Sequence, residues 1–238
     1  RSVTAYGRYH IQDVIKKVND NGFSVIYSDT DSIFILLKSK PLEEILALVK
    51  KINDELPGLM ELDYEGFYPT AMFVGAKAGP HGAKKKYAMI DHKGKMKVRG
   101  FELVRRNWSA ISKEVQQKVL DTILREKNVN SAVDYVVEVI SELHNHAIPL
   151  DKVTIHTQLQ KPIEAYENVG PHVAAAMRLS SLGEKITPGM PINYVVTSGK
   201  GIVRDRVKLP HEVQNNDYDA DYYVDNQVVP AVDRIFAV

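Results

Sequence analysis

Residues Phe23 to Leu37 read FSVIYSDTDSIFILL, with Asp29 and Asp31 inside a strongly apolar run. The flanks Phe23–Tyr27 and Ser32–Leu37 are rich in β-branched and aromatic residues and read as two strands. The SDTD between them is turn chemistry, so the pair is expected to be a hairpin with both acids at its tip. Upstream, apolar residues at 3, 11, 14, 15 and 18 keep helical spacing, and Asn21-Gly22 is a helix stop. Downstream, Pro41 opens a helix that runs as PLEEILALVKKINDEL to Pro57-Gly58. In ELDYEGFY, Glu61, Asp63 and Glu65 alternate with other residues and are expected on one face of a strand.

The order helix, strand, strand, helix, strand matches a common two-layer plan, strand-helix-strand-strand-helix-strand, without its opening central strand. A sheet lacking a central strand leaves backbone donors and acceptors unpaired, at roughly 1–3 kcal/mol for each buried group. Another polypeptide or an upstream segment is therefore expected to supply that strand.

Bulk properties narrow the field. The 238 residues are 44% hydrophobic and 26% charged, as in ordinary globular proteins, and suffice for one large or two small domains. There is no cysteine, which excludes disulfides, zinc-thiolate centres and thiol nucleophiles and agrees with a reducing, cytoplasmic setting. No apolar run approaches the roughly 20 residues that span a bilayer, and no membrane partner is expected. The net charge of +1 hides an asymmetry: ten Lys and Arg against two acids, Asp91 and Glu102, put +8 between Lys77 and Arg106 and leave −7 elsewhere. Such a segment suits either a polyanion or a solvated surface.

Beyond GAKAGPHGA, Lys86–Ile90 and Met96–Leu103 are expected as strands joined by DHKG. From Asn107 the chain turns helical. NWSAISKEVQQKVLDTILREK is amphipathic, Ser131–Leu143 and Pro171–Leu182 are further helices, and Asp221–Val238 is a helix that Pro230 should kink. PINYVVTSGKGIVRDRVKL reads as a hairpin over Ser-Gly-Lys-Gly. HNH at 144–146 has only a superficial likeness to metal-ligand spacing, since it falls at a helix end.

Two aspartates one residue apart on rigid strands make a hard-oxygen site suited to Mg²⁺ or Mn²⁺, whose charge relieves their repulsion. A plain Asp-rich turn uses the same letters. An acidic D-x-D after an apolar strand also serves nucleotide-sugar glycosyltransferases and aspartyl-phosphate phosphatases, but neither accounts for a basic segment downstream.

YSDTDS at 27–32 resembles motif C of the family B, or α-like, DNA polymerases, and KKKY at 84–87 resembles their basic motif. VTAYGR (3–8), VRGFELVRRNWS (98–109), YENVGPHVAAAMRL (166–179) and YYVDNQVVPAV (222–232) are similar in the same order, closest to archaeal members. The resemblance implies an α+β fold: an incomplete palm over residues 1–83, with an antiparallel sheet, helices on one face and the central strand missing. A mainly helical thumb with a β-hairpin is implied over 84–238, beginning at KKKY. The stretches that carry motif A, motif B and the exonuclease are not among these residues, and motif A belongs to the central palm strand. The chain thus resembles the small subunit of a naturally split polymerase.

The implied reaction is two-metal nucleotidyl transfer from a dNTP to a primer 3′-hydroxyl, with two Mg²⁺ (or Mn²⁺) about 4 Å apart. Asp31 would bridge both ions, Asp29 would be a direct or outer ligand, and Glu65 matches a carboxylate near the metals, Asp63 less well. Lys84, Lys85 and Lys86 would contact the primer-template duplex, Tyr87 would support the strand, and Lys161 matches a basic thumb position. Arg99 would reach phosphate or form a surface ion pair. The implied partners are a larger polypeptide with motifs A and B and an exonuclease domain, primer-template DNA and dNTP, with a nucleoid association if the source is prokaryotic. The contrasting reading is a duplex-binding or assembly module of a replication complex without chemistry of its own.

Overall fold

The computed structural model describes residues 2–75 and 82–237, with residues 2 and 82–84 as backbone only. The chain divides into two compact units, 1–67 and 68–238.

In the first unit, helix α1 (Ser2–Asp20) buries Val14 and Val18. It ends in a Schellman arrangement. Gly22, at φ +79°, donates to the Asn19 carbonyl, and the Phe23 amide donates back to Val18 at 3.2 Å. Phe23 then packs in one core with Val14 and Val18. The chain continues directly into β1 (Ser24–Asp29), which pairs antiparallel with β2 (Ser32–Leu36) as far as Asp29↔Ser32. Helix α2 (Leu42–Glu55) adds Ile45, Leu48 and Ile52 to that core, against Val25, Ile33 and Ile35 of the hairpin. The expected hairpin and both helices are therefore present, and the sheet has two strands among the described residues.

The ELDYEGFY segment is a correction: residues 61–68 form no strand. Alternation supplies a face but not a ladder, and among the described residues no neighbouring strand pairs with this stretch. Asn53 substitutes for one. Its side chain accepts from the Leu62 amide at 2.8 Å and donates to the Leu62 carbonyl at 3.0 Å.

The second unit opens with a three-stranded antiparallel sheet of β3 (Thr70–Gly75), β4 (Gly82–Ile90) and β5 (Met96–Arg99), in that order. The expected division at 83/84 runs inside β4. The DHKG turn forms as expected: the Asp91 carboxylate accepts from the Lys93 and Lys95 amides, and Gly94 takes φ +78°. β5 is shorter than expected, because Glu102–Val104 coil into a 3₁₀ turn. Ser109 caps α3 (Ala110–Asp121), which ends in a π turn over Thr122–Glu126. Helices α4 (Val129–His144), α5 (Leu150–Val153) and α6 (Pro171–Ser181) come next.

The second sheet has order β6 (Ile155–Gln158), β7 (Pro191–Val196) and β8 (Val207–Lys208). The expected β7–β8 hairpin is present, but its connection runs from 197 to 206 and includes a 3₁₀ turn. The final helix is broken into α7 (Ala220–Tyr223), a π turn over Val224–Val228, and α8 (Val229–Phe236). The irregular turn ends two residues before Pro230, which has no amide to donate. Both sheets and the long helices share one core that includes Phe101, Val115, Leu143, Ile155, Val195 and Tyr223. No described helix is long and apolar enough to cross a membrane.

Candidate metal centre and nucleic-acid interface

The hairpin tip is a two-residue crossing from Asp29 to Ser32. Thr30 takes the left-handed conformation, φ +56°, and the Asp31 amide folds back onto the Asp29 carbonyl at 2.7 Å. Ser32 Oγ donates to the same carbonyl at 3.1 Å. Thr30 Oγ1 donates to Asp29 Oδ1 at 3.1 Å. Asp29 is half-buried at the strand end, whereas Asp31 is exposed. The tip is thus a short, hydrogen-bonded platform carrying two carboxylates of different exposure.

Glu61, Asp63 and Glu65 are all exposed in the segment that Asn53 ties to α2. Among the described residues no three His, Asp or Glu side chains converge on one point. The hairpin pair has the hard-oxygen chemistry of a Mg²⁺ or Mn²⁺ donor set and fits as part of one; further ligands are required to complete it.

In the second unit the KKKY stretch lies in β4. The Lys84 side chain lies outside the described residues. Lys85 is exposed and takes φ +60°. Lys86 turns the other way: it is only 6% exposed, and its Nζ lies 3.0 Å from both Glu102 oxygens. The same ammonium sits 5.0 Å from the centroid of the buried Phe101 ring. Gln116 completes the network. Its Nε2 donates to Glu102 Oε2 at 2.8 Å and also to the Ala231 carbonyl, while its Oε1 accepts from the Leu103 amide at 2.7 Å. Burial works to raise the Glu102 pKa, but the hydrogen bonds from Gln116 and Lys86 outweigh it and hold the carboxyl below its usual range.

Tyr87 is buried against Phe73, 5.7 Å between ring centroids, and pairs in register with Arg99, which is exposed. Lys161 is exposed, with its ammonium 4.8 Å from the centroid of Tyr166. At the HNH stretch, His146 Nδ1 contacts the Asn216 carbonyl at 2.8 Å, and His144 stands 3.7 Å from Asp221. Both histidines thus have partners within the fold, beside a cleft of about 500 Å³ that Arg206 and Asp219 also line.

Glu102 and Gln116 were not singled out by sequence pattern. One signal was available: Glu102 is one of two acids in the basic window from 77 to 106. Asn53 carries no such signal, because its partners are backbone atoms.

The sequence matches the model described as DNA polymerase family B over residues 1–238. It is 46% identical over 241 residues to a protein of Pyrococcus glycovorans named DNA polymerase, covering 98% of this chain and 30% of that one. A DNA polymerase of Thermococcus kodakarensis is 44% identical over 242 residues, covering 98% of this chain and 14% of the relative. The solved structure of the family B DNA polymerase from the hyperthermophilic archaeon Pyrobaculum calidifontis superposes with a TM-score of 0.74 at 34% identity, over 100% of this chain and 29% of that one. The chain therefore spans less than a third of each of these relatives. With the family match running end to end and these relatives 44% and 46% identical over 98% of the chain, it belongs to DNA polymerase family B, of the archaeal type.

Proposed function

We propose that this chain forms part of a DNA-directed DNA polymerase. It supplies the motif C carboxylates and a surface that holds duplex DNA, and acts with a larger polypeptide carrying motifs A and B. The observation that carries the reading is the position of Asp29 and Asp31 on a two-residue hairpin tip, in a chain matched along its whole length by the family.

In the proposed reaction the primer 3′-oxygen bonds to the α-phosphorus of a dNTP, the bond from that phosphorus to the bridging oxygen breaks, and pyrophosphate leaves. When bound, two Mg²⁺ ions would make the hydroxyl more acidic and offset charge on the leaving oxygens. Asp31, exposed at the tip, and Asp29, half-buried at the strand end, are the residues that would hold these ions. Glu65 is a further carboxylate of the same site, and the remaining ligand comes from motif A on the partner. Residues 1–83 then correspond to palm, and residues 84–238, beginning at KKKY, correspond to thumb.

Duplex contact falls to Lys84, Lys85, Arg99 and Lys161, with Tyr87 buttressing the strand. Phosphate contacts of this kind are blind to sequence and weaken with salt.

Primer extension with Mg²⁺ tests the proposal in three mixtures: the chain alone, the chain with the larger polypeptide, and Asp31→Ala with that polypeptide. Extension is expected in the second alone. Extension by the chain alone would remove the need for a partner. Equal extension with Asp31→Ala would remove the metal assignment and leave a binding module without chemistry.

A further inference from the structure

The three lysines of KKKY do not share one role. We propose that Lys86 is a positioning residue that acts through Glu102 to fix the backbone at Lys85, and so presents Lys85 to duplex DNA without touching it. The inference rests on the duplex-binding function proposed for this strand.

Lys86 and Glu102 side chains are 7% and 11% exposed, and the ammonium is hydrogen-bonded to both carboxylate oxygens. For Lys86 to reach a phosphate it would have to leave a buried carboxylate uncompensated. Glu102 is in turn held by Gln116, which also binds the Leu103 amide and the Ala231 carbonyl. The ammonium thus pins β4 to the 3₁₀ turn, to α3 and to α8.

The pinned point matters because its neighbour is irregular. Tyr87↔Arg99 is the last registered pair of β4 and β5 at this end. One step beyond Lys86, Lys85 takes φ +60°, a conformation that L side chains adopt when their surroundings impose it. The Lys85–Lys86 peptide is also pressed against Gly100, two residues before Glu102. Lys86 holds this crossing from the buried side, and Lys85 emerges on the exposed one.

The test is anisotropy titration of a labelled primer-template duplex with the full chain across a salt series, for wild type, K85A, K86M, E102Q and K86M/E102M. A direct phosphate contact at Lys86 requires that K86M lower the slope of log K against log salt by about 0.9. It also requires that E102Q, which removes a negative charge beside the lysine, leave binding unchanged or tighter.

Positioning gives the reverse. K86M and E102Q each bind about tenfold more weakly with the wild-type slope, a mid-range coupling within one ion-pair network. K86M/E102M, which leaves no buried charge unpaired, recovers to within about threefold of wild type. K85A alone lowers the slope by about 0.9. A reduced slope in K86M, or tighter binding by E102Q, overturns the positioning role and leaves duplex binding standing. A wild-type chain without salt-dependent duplex binding overturns both. If K86M does not fold, E102Q and the double variant give the same two-way answer.

Discussion

The carbonyl oxygen of Lys85 occupies the space that a side chain at Gly100 would need. A Cβ built on Gly100 would lie 1.9 Å from that oxygen and 2.8 Å from the carbonyl carbon. Gly100 also takes φ +71°, so both its conformation and its surroundings demand glycine. Gly100→Ala is therefore expected to destabilise the chain by roughly 3 kcal/mol, combining backbone strain with a clash against main chain that has no rotamer to relax. Urea unfolding measures it. A loss below about 1 kcal/mol, the size of an ordinary substitution, would show that the two strands separate easily at this crossing.

Glu102 sets an acid limit for the second unit. Its folded pKa lies below the ordinary carboxylate value, because Gln116 and Lys86 bind the charged form more strongly than burial disfavours it. A depressed carboxylate contributes stability that is fully present above its unfolded value, near 4.3, and lost as pH falls through the lower folded value. Melting temperature should thus decline with acidification below about pH 4.3, and E102Q should flatten that part of the profile. An unaltered profile in E102Q would mean that other carboxylates govern the acid transition.

Asn53 is expected to govern Glu65 at a distance along the chain. Its paired hydrogen bonds to Leu62 tie α2 to the acidic segment. Asn53→Ala removes both and should cost about 1–3 kcal/mol locally, freeing residues 59–67 while the buried face of α2 stays packed. Limited proteolysis reads this as new cleavage within that segment, with the helical circular dichroism unchanged. Unchanged cleavage would assign the segment's order to contacts of Leu62 and its neighbours with the core.

What could be read from the sequence was what local chemistry encodes. The hairpin around Asp29 and Asp31, the stop at Asn21-Gly22 and the amphipathic helix after Trp108 all depend on residues close in the chain, and the structure has them, the helix burying Ile111, Val115 and Val119. What escaped depends on distant partners. β3 has four apolar residues in six and pairs with β4 as far as twenty positions on, at Thr70↔Ile90, and β6 is four residues that pair with β7 more than thirty positions on. The converse error has the same origin: Glu61, Asp63 and Glu65 alternate as a strand should, yet no ladder among the described residues receives them. At KKKY three identical charges stand in a row, and only the fold distinguishes Lys86, paired with an acid sixteen positions away, from its exposed neighbour Lys85.

Whether Asp29 and Asp31 form part of a divalent-cation site is answered most directly by Mn²⁺ titration of the ¹⁵N-labelled chain. Paramagnetic broadening should centre on the amides of Asp29 to Ser32 at low Mn²⁺, and Asp31→Ala should abolish it there. Broadening spread evenly over the acidic surface, or centred elsewhere and indifferent to Asp31→Ala, would contradict the assignment.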